Sequence, residues 1–344
     1  MMSKNKTKVV IAIIVVIIAI LFITIFRLQS SVAVESLSVP STFASTAPFG
    51  QNSLIYSDGQ LLNEYNYSNG TITHLSKTVG LGTIDSLTAS TDNQYVLFHD
   101  QQVTVGGVLA NQLQNQKLDP SLDYWWLYSV KNQQFSPLPQ NVVLAKLSSN
   151  NLYAIVYSDG AESLSSLSLN NFSTINSFSI PGSLDFYPTG NGFLLQTPNN
   201  EVIFTQDGTI SQILLKSSSL IGYNPNNSTF FVKSTNGSTN LYSFNLPKHL
   251  QSLIAKNLIG SPVYLNPGYV LYIAGPNSTQ AKIYEYNNTS GKTIVWSLGA
   301  GSKLATQGIS LVSLLSPNTA VIDTSTTNYL LLGTSLVSQQ HSGL

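Results

Sequence analysis

NLYAIVYSDGAESLSSLSL, Asn151 to Leu169, reads as two short strands around a tight turn. Apolar residues fill Leu152 to Tyr157 and return at Leu164, Leu167 and Leu169, with Ser158-Asp159-Gly160 between them. Gly tolerates positive φ and Asp bonds to neighbouring backbone, which a hairpin turn uses. The same phrase recurs as SLIYSDGQLLNEYNY from Ser53, and as QYVLFHD from Gln94 with YWWLYSV from Tyr124. It recurs again as GFLLQTPNNEVIFTQDG from Gly192, STFFVKSTNGSTNLYSFNL from Ser228 and GYVLYIAGPNSTQAKIYEY from Gly268. A clipped copy, TAVIDTSTTNYLLLG, starts at Thr319. The first strands begin near Leu54, Tyr95, Leu152, Phe193, Phe230, Tyr269 and Ala320. A period of roughly 40 residues made only of strands predicts one four-stranded sheet per repeat, an all-β propeller.

Seven repeats are read, at about 41–80, 83–140, 142–180, 183–216, 219–256, 258–299 and 308–336. The fold class expected is therefore a seven-bladed β-propeller preceded by a single N-terminal transmembrane helix. The last repeat looks one strand short. Val34–Val39 alternates apolar and polar residues, so it is expected to supply the missing outer strand and hide an exposed edge. No stretch past Arg27 has the period of a three-turn helix. Asn111–Asp119 is polar, and Leu246–Gly260 falls where an outer strand belongs. Each repeat also carries a strand before the quoted phrase, joined to it by turns such as YNPNNSTFFV, LLSPNTAVI, YPTGNGFLL and YLNPGYVLY, with Pro, Asn and Gly between apolar runs. These turns resemble the repeats of the TolB-like and WD40-like propeller superfamily over nearly the whole region. The Trp-Asp dipeptide of WD40 blades is missing, so the resemblance implies shape and assigns no activity, partner or functional residue.

Residues Val9 to Phe26 form an uncharged apolar run broken only by Thr24. As a helix it would be about 27 Å long, close to the ~30 Å hydrocarbon core. Lys4, Lys6 and Lys8 precede it and Arg27 closes it, which predicts a cytoplasmic N-terminus and an outer C-terminal part. A cleaved signal peptide, with Ser31-Val32-Ala33 as its site, competes, but the run exceeds the usual length of such a peptide. The expected organisation is a tail at 1–8, an anchor at 9–26, a juxtamembrane segment at 27–40, the propeller at 41–336 and a polar tail at 337–344. The expected location is a bacterial cell membrane with the propeller outside.

Composition narrows the function further. Four of the fifteen basic residues lie at Lys4, Lys6, Lys8 and Arg27, so past Arg27 fifteen acidic residues face eleven lysines. That mild acidity argues against nucleic acid, whose phosphates need a basic patch. Charged residues are only 9% of the chain, against a usual ~25%, so Ser, Thr, Asn and Gln make the polar surface. There is no Cys, hence no disulfide and no thiolate chemistry.

No catalytic motif is present: neither G-x-S-x-G, H-E-x-x-H, a Walker A sequence nor an EF-hand loop. Catalytic residues are unassigned, and no cofactor or metal is expected. Gly80–Gly82 and Gly299–Gly301 read as linkers between blades rather than phosphate cradles. His74, His99, His249 and His341 are widely spaced. Asp58 and Asp159 read as turn residues, since each loop offers one carboxylate and a hard cation needs several. The irregular second repeat carries an insertion, Gly106–Asp123, followed by Tyr124-Trp125-Trp126. Asp123, Tyr124, Trp125 and Trp126 are the candidate binding residues, because loops on a rigid scaffold carry function. Packing is the competing reading for the tryptophans, since adjacent strand residues face opposite ways. The innermost strands offer few charges, chiefly Asp85, Lys146 and Asp185. The function expected is a binding or scaffold module for a protein or polymer of the cell envelope or surface. An extracytoplasmic hydrolase or lyase acting on a sugar or peptide is the alternative.

Overall fold

The computed structural model describes residues 45–340 apart from short stretches, the longest being 297–308. The strands form four-stranded antiparallel sheets, each built from four consecutive strands. They cover 46–74, 83–137, 142–180, 185–215, 218–255, 258–296 and 309–340, and are numbered here as blades 1 to 7. The first strands of successive blades neighbour one another around an axis, and the fourth strands form the rim.

Period-two alternation explains this arrangement. In blade 2, Val96 and Phe98 of the second strand, with Trp126 and Tyr128 of the third, pack with Ile55 and Leu62 of blade 1. The intervening Leu97, Trp125 and Leu127 pack with Val142, Ala145 and Leu152 of blade 3. Both faces of the sheet are thus buried, so second and third strands read as nearly continuous apolar runs. Burying one aromatic side chain removes 150–250 Å² from water, on the order of 4–6 kcal/mol.

Polar side chains clamp the joints between blades. Gln196, almost buried, accepts from Leu220 N at 2.6 Å and donates to Ser218 O at 3.1 Å, tying blade 4 to blade 5. The Tyr128 hydroxyl donates to Leu75 O at 2.5 Å, and Thr239 Oγ1 donates to Leu258 O at 2.9 Å. Close approach does the same work at Gly222. A Cβ there would lie 2.2 Å from Cγ of Tyr264, whose hydroxyl donates to Tyr223 O at 2.5 Å.

A seven-bladed propeller behind a transmembrane helix does not stand as read from the sequence. Among the described residues no helix is long and apolar enough to cross a membrane, and Val9–Phe26 lies outside them. The seventh sheet is also not one strand short. Ser335–Gln340 pairs antiparallel with Thr327–Leu332, from Leu332 opposite Ser335 to Thr327 opposite Gln340. The propeller therefore runs past 336, and the expected tail at 337–344 begins inside a strand. Val34–Val39, the expected closing strand, lies outside the described residues. Among the described residues the ring closes by packing. Leu54, Tyr56, Tyr65 and Tyr67 of blade 1 bury against Leu315 and Val321.

One helix was not expected: Val108–Asn115, inside the second-blade insertion. Its polar sequence hid a short apolar face, Leu109, Ala110 and Leu113, which packs on Tyr124 and Trp126.

Closure by Ser335–Gln340 predicts the outcome of two truncations. Removing residues 31–39 should leave the melting temperature unchanged. Removing 334–344 should lower it or cause aggregation through the freed edge of Thr327–Leu332. The reverse pattern would return the closing role to the N-terminal segment.

Candidate functional site

One face of the ring is defined by backbone hydrogen bonds that join the second-to-third-strand turns of blades 1, 4 and 5 to the linker that follows each blade. Leu81 N and Gly82 N donate to Gly59 O, Ser218 N to Asn200 O and Leu258 N to Thr239 O. This face, called upper here, also carries the insertion of blade 2. Its turns follow the sequence reading: Gly59 and Gly160 both have φ of +81°. Asp58 Oδ1 accepts from Gln60 N and Leu61 N at 2.9 and 2.8 Å, so that carboxylate is engaged by its own turn.

The candidate residues separate. Asp123 is exposed on the upper face. Tyr124, Trp125 and Trp126 are 2%, 7% and 0% exposed, so they do not form a platform for a surface ligand. Tyr124 and Trp126 lie under the helix, facing blade 1. Trp125 faces blade 3 and donates from Nε1 to Val143 O at 3.3 Å. Packing therefore accounts for both tryptophans.

Beneath the helix lies Asp100, which sequence reasoning passed over because nothing marks it within QYVLFHD. It is 0% exposed. One carboxyl oxygen accepts from Trp126 Nε1, while Oδ1 has no close hydrogen-bond partner among the described residues. Burial raises its pKa. The Trp126 hydrogen bond, His99 and the backbone N–H of Tyr124 oppose that rise and Asp123 adds to it, leaving the carboxyl at about 7. Burial disfavours the charged form, which explains the direction.

Beside it, His99 Nδ1 lies 2.8 Å from Asp85 Oδ1, and Gln101 Nε2 donates to Asp85 Oδ2 at 2.8 Å. The His99 ring rests on Trp125 at 5.0 Å between centroids. On the next joint Lys146 Nζ meets Asp185 Oδ1 at 2.5 Å and sits 3.8 Å above the Tyr187 ring. The Tyr187 hydroxyl continues to Ile221 O at 2.8 Å, and burial pushes its pKa well up. The three inner-strand charges are thus paired off between or within blades. They do not converge on an open site. Among the described residues no group of three His, Asp or Glu could hold a metal ion.

The upper face also exposes four large apolar residues. Leu122, Val143, Tyr157 and Leu184 are 40%, 52%, 52% and 63% exposed. Leu122 and Leu184 lie in the blade 2 insertion and the linker to blade 4, and Val143 and Tyr157 lie at the upper ends of the first and second strands of blade 3. The other exposed large hydrophobics, Ile72, Ile175, Ile213, Leu250, Leu253 and Val295, are in fourth strands at the rim. The upper four form one arc. Leu122 leads into the strand of Trp125, whose indole holds Val143 O. Tyr157 N donates to Asn141 O at 2.8 Å, next to that same strand. Tyr157 pairs with Glu162, whose Oε2 accepts from Ser183 N at 2.9 Å, beside Leu184.

Asp100 generates a pH prediction with a definite sign. Its folded pKa of about 7 exceeds the unfolded value of about 3.9, so the folded state binds the proton more tightly. This group's penalty is absent below the unfolded value, grows as pH rises and is complete above about 7. Asp100→Asn should therefore stabilise the fold by about 1–3 kcal/mol at pH 8 and by little at pH 4. Denaturant unfolding at both pH values checks it. Equal shifts at the two would contradict the buried-acid account.

No protein-family model matches the chain, and no curated protein matches it. Solved structures do. The β-propeller domain of the Trilobed protease from Pyrococcus furiosus aligns with TM-score 0.56 at 10% identity, covering 87% of this chain and 98% of that one. Pyrococcus horikoshii acylaminoacyl peptidase aligns with TM-score 0.54 at 11% identity, covering 85% and 51%, so this chain spans about half its length. Kuenenia stuttgartiensis hydrazine synthase aligns with TM-score 0.51 at 10% identity, covering 91% and 99%. The resemblance to propeller repeats read from the turns is thereby confirmed, and the likeness is one of fold: the chain is a β-propeller.

Proposed function

We propose that this propeller is a binding or scaffold module that engages a protein partner through the upper face of blades 2 to 4. The observation that carries the reading is the exposed arc Leu122, Val143, Tyr157 and Leu184, apart from the fourth strands at the rim. Contiguous exposed apolar area away from a rim or edge is characteristic of interaction surfaces. The pairing of Asp85, Lys146 and Asp185 with neighbours supports binding over catalysis. The uncharged run Val9–Phe26 and the lysines before it support a location outside the cytoplasmic membrane.

Two measurements test this reading. Protease added to intact spheroplasts should digest the region from Gln51 onward, and complete protection would place the propeller inside. Affinity purification from native membranes should recover a partner that is lost with V143S/L184S and kept with L250S/L253S at the rim. Equal recovery with both variants would remove the upper face from the account.

A further inference from the structure

We infer that the upper-face arc receives an extended polypeptide segment that alternates basic and apolar side chains. The inference rests on the binding reading above and adds the chemistry of the occupant. Charge and exposure point the same way. Three of the four apolar residues have a carboxylate one or two positions along the chain: Leu122 beside Asp123, Tyr157 before Asp159 and Leu184 beside Asp185. Asp185 is engaged by Lys146, but Asp123 and Asp159 are exposed, and so is Asp119 at the start of the same turn as Leu122. Lys117 is the nearby exposed cation of the insertion. The arc is therefore apolar with an acidic margin.

That combination selects among occupants. An anionic lipid surface or a nucleic acid would meet like charge and gain no counterion release. A polysaccharide would meet no exposed aromatic except Tyr157. A second copy of this face would bring carboxylates against carboxylates. A basic and apolar segment meets complementary charge at Asp119, Asp123 and Asp159 while covering Leu122, Val143, Tyr157 and Leu184. Complementary potential chiefly sets specificity and association rate, so binding should weaken with salt. The arc runs over three blades along fixed turns, which suits an extended chain better than a compact small molecule.

The test uses the full chain in detergent and fluorescence anisotropy. The probes are a labelled peptide of repeated Lys-Leu-Ser and its Glu-Leu-Ser counterpart. The basic peptide should bind. Its affinity should fall about tenfold in V143S/L184S and likewise in D123N/D159N, with no change in L250S/L253S. The acidic peptide should not bind. The inference is overturned if the acidic peptide binds as well, if the rim variant weakens binding as much as the arc variants, or if the basic peptide fails to bind. Should that peptide fail while V143S/L184S still loses the cellular partner, the binding reading survives and only the stated chemistry is wrong.

Discussion

Each blade has two apolar faces and neither can remain in water. Leu97 and Phe98, or Trp125 and Trp126, are neighbours in sequence that point into different joints of the ring. A blade on its own would expose both sets of side chains. Stability is therefore a property of the joints, and a closed set of joints is what the chain must build. This explains why the first and last blades bury Tyr65 against Val321. It also explains why close approaches such as Gly222 against Tyr264 fall on inner strands, where blades converge most tightly.

With so few charges, neutral groups do much of the polar work at these joints. Gln196 replaces strand pairing between two sheets that diverge, giving Ser218 and Leu220 partners that water cannot reach. Lys146 and Asp185 lie on facing inner strands and neutralise each other over the Tyr187 ring. Charges spent in this way are unavailable for chemistry. Asp100 departs from the pattern, with a buried carboxyl held by Trp126 and Oδ1 without a close hydrogen-bond partner among the described residues. Uncompensated buried groups of this kind cost stability, and here the cost depends on pH.

The period of the repeats made the architecture legible, because strands buried on both sides leave unbroken apolar runs such as Phe193–Leu195 and Phe230–Val232. The turns were legible for the same reason: Asp58-Gly59 and Asp159-Gly160 meet a backbone requirement that few residues satisfy. The helix Val108–Asn115 was not, since two turns with three buried residues fall below any periodicity test. The last strand, Ser335–Gln340, reads as a polar tail because only Leu336 and Val337 in it are large and apolar. The binding candidates divide between surface and core: Asp123 is exposed, whereas Tyr124, Trp125 and Trp126 are buried. The insertion beside Asp123 does border the exposed arc, but its aromatic residues are the floor under it. Exposure of Val143 and Leu184 depends on how blades 3 and 4 meet, which no local pattern reveals.

The claim that this surface is the working one can be tested by covalent footprinting. The chain would be labelled by photogenerated carbenes in a native cell extract and again after purification, and the two maps compared. The account predicts protection in the extract at Leu122, Val143, Tyr157 and Leu184, with Ile213 and Leu250 at the rim labelled equally in both. Equal labelling of the arc in both states, or protection confined to the rim, would contradict it.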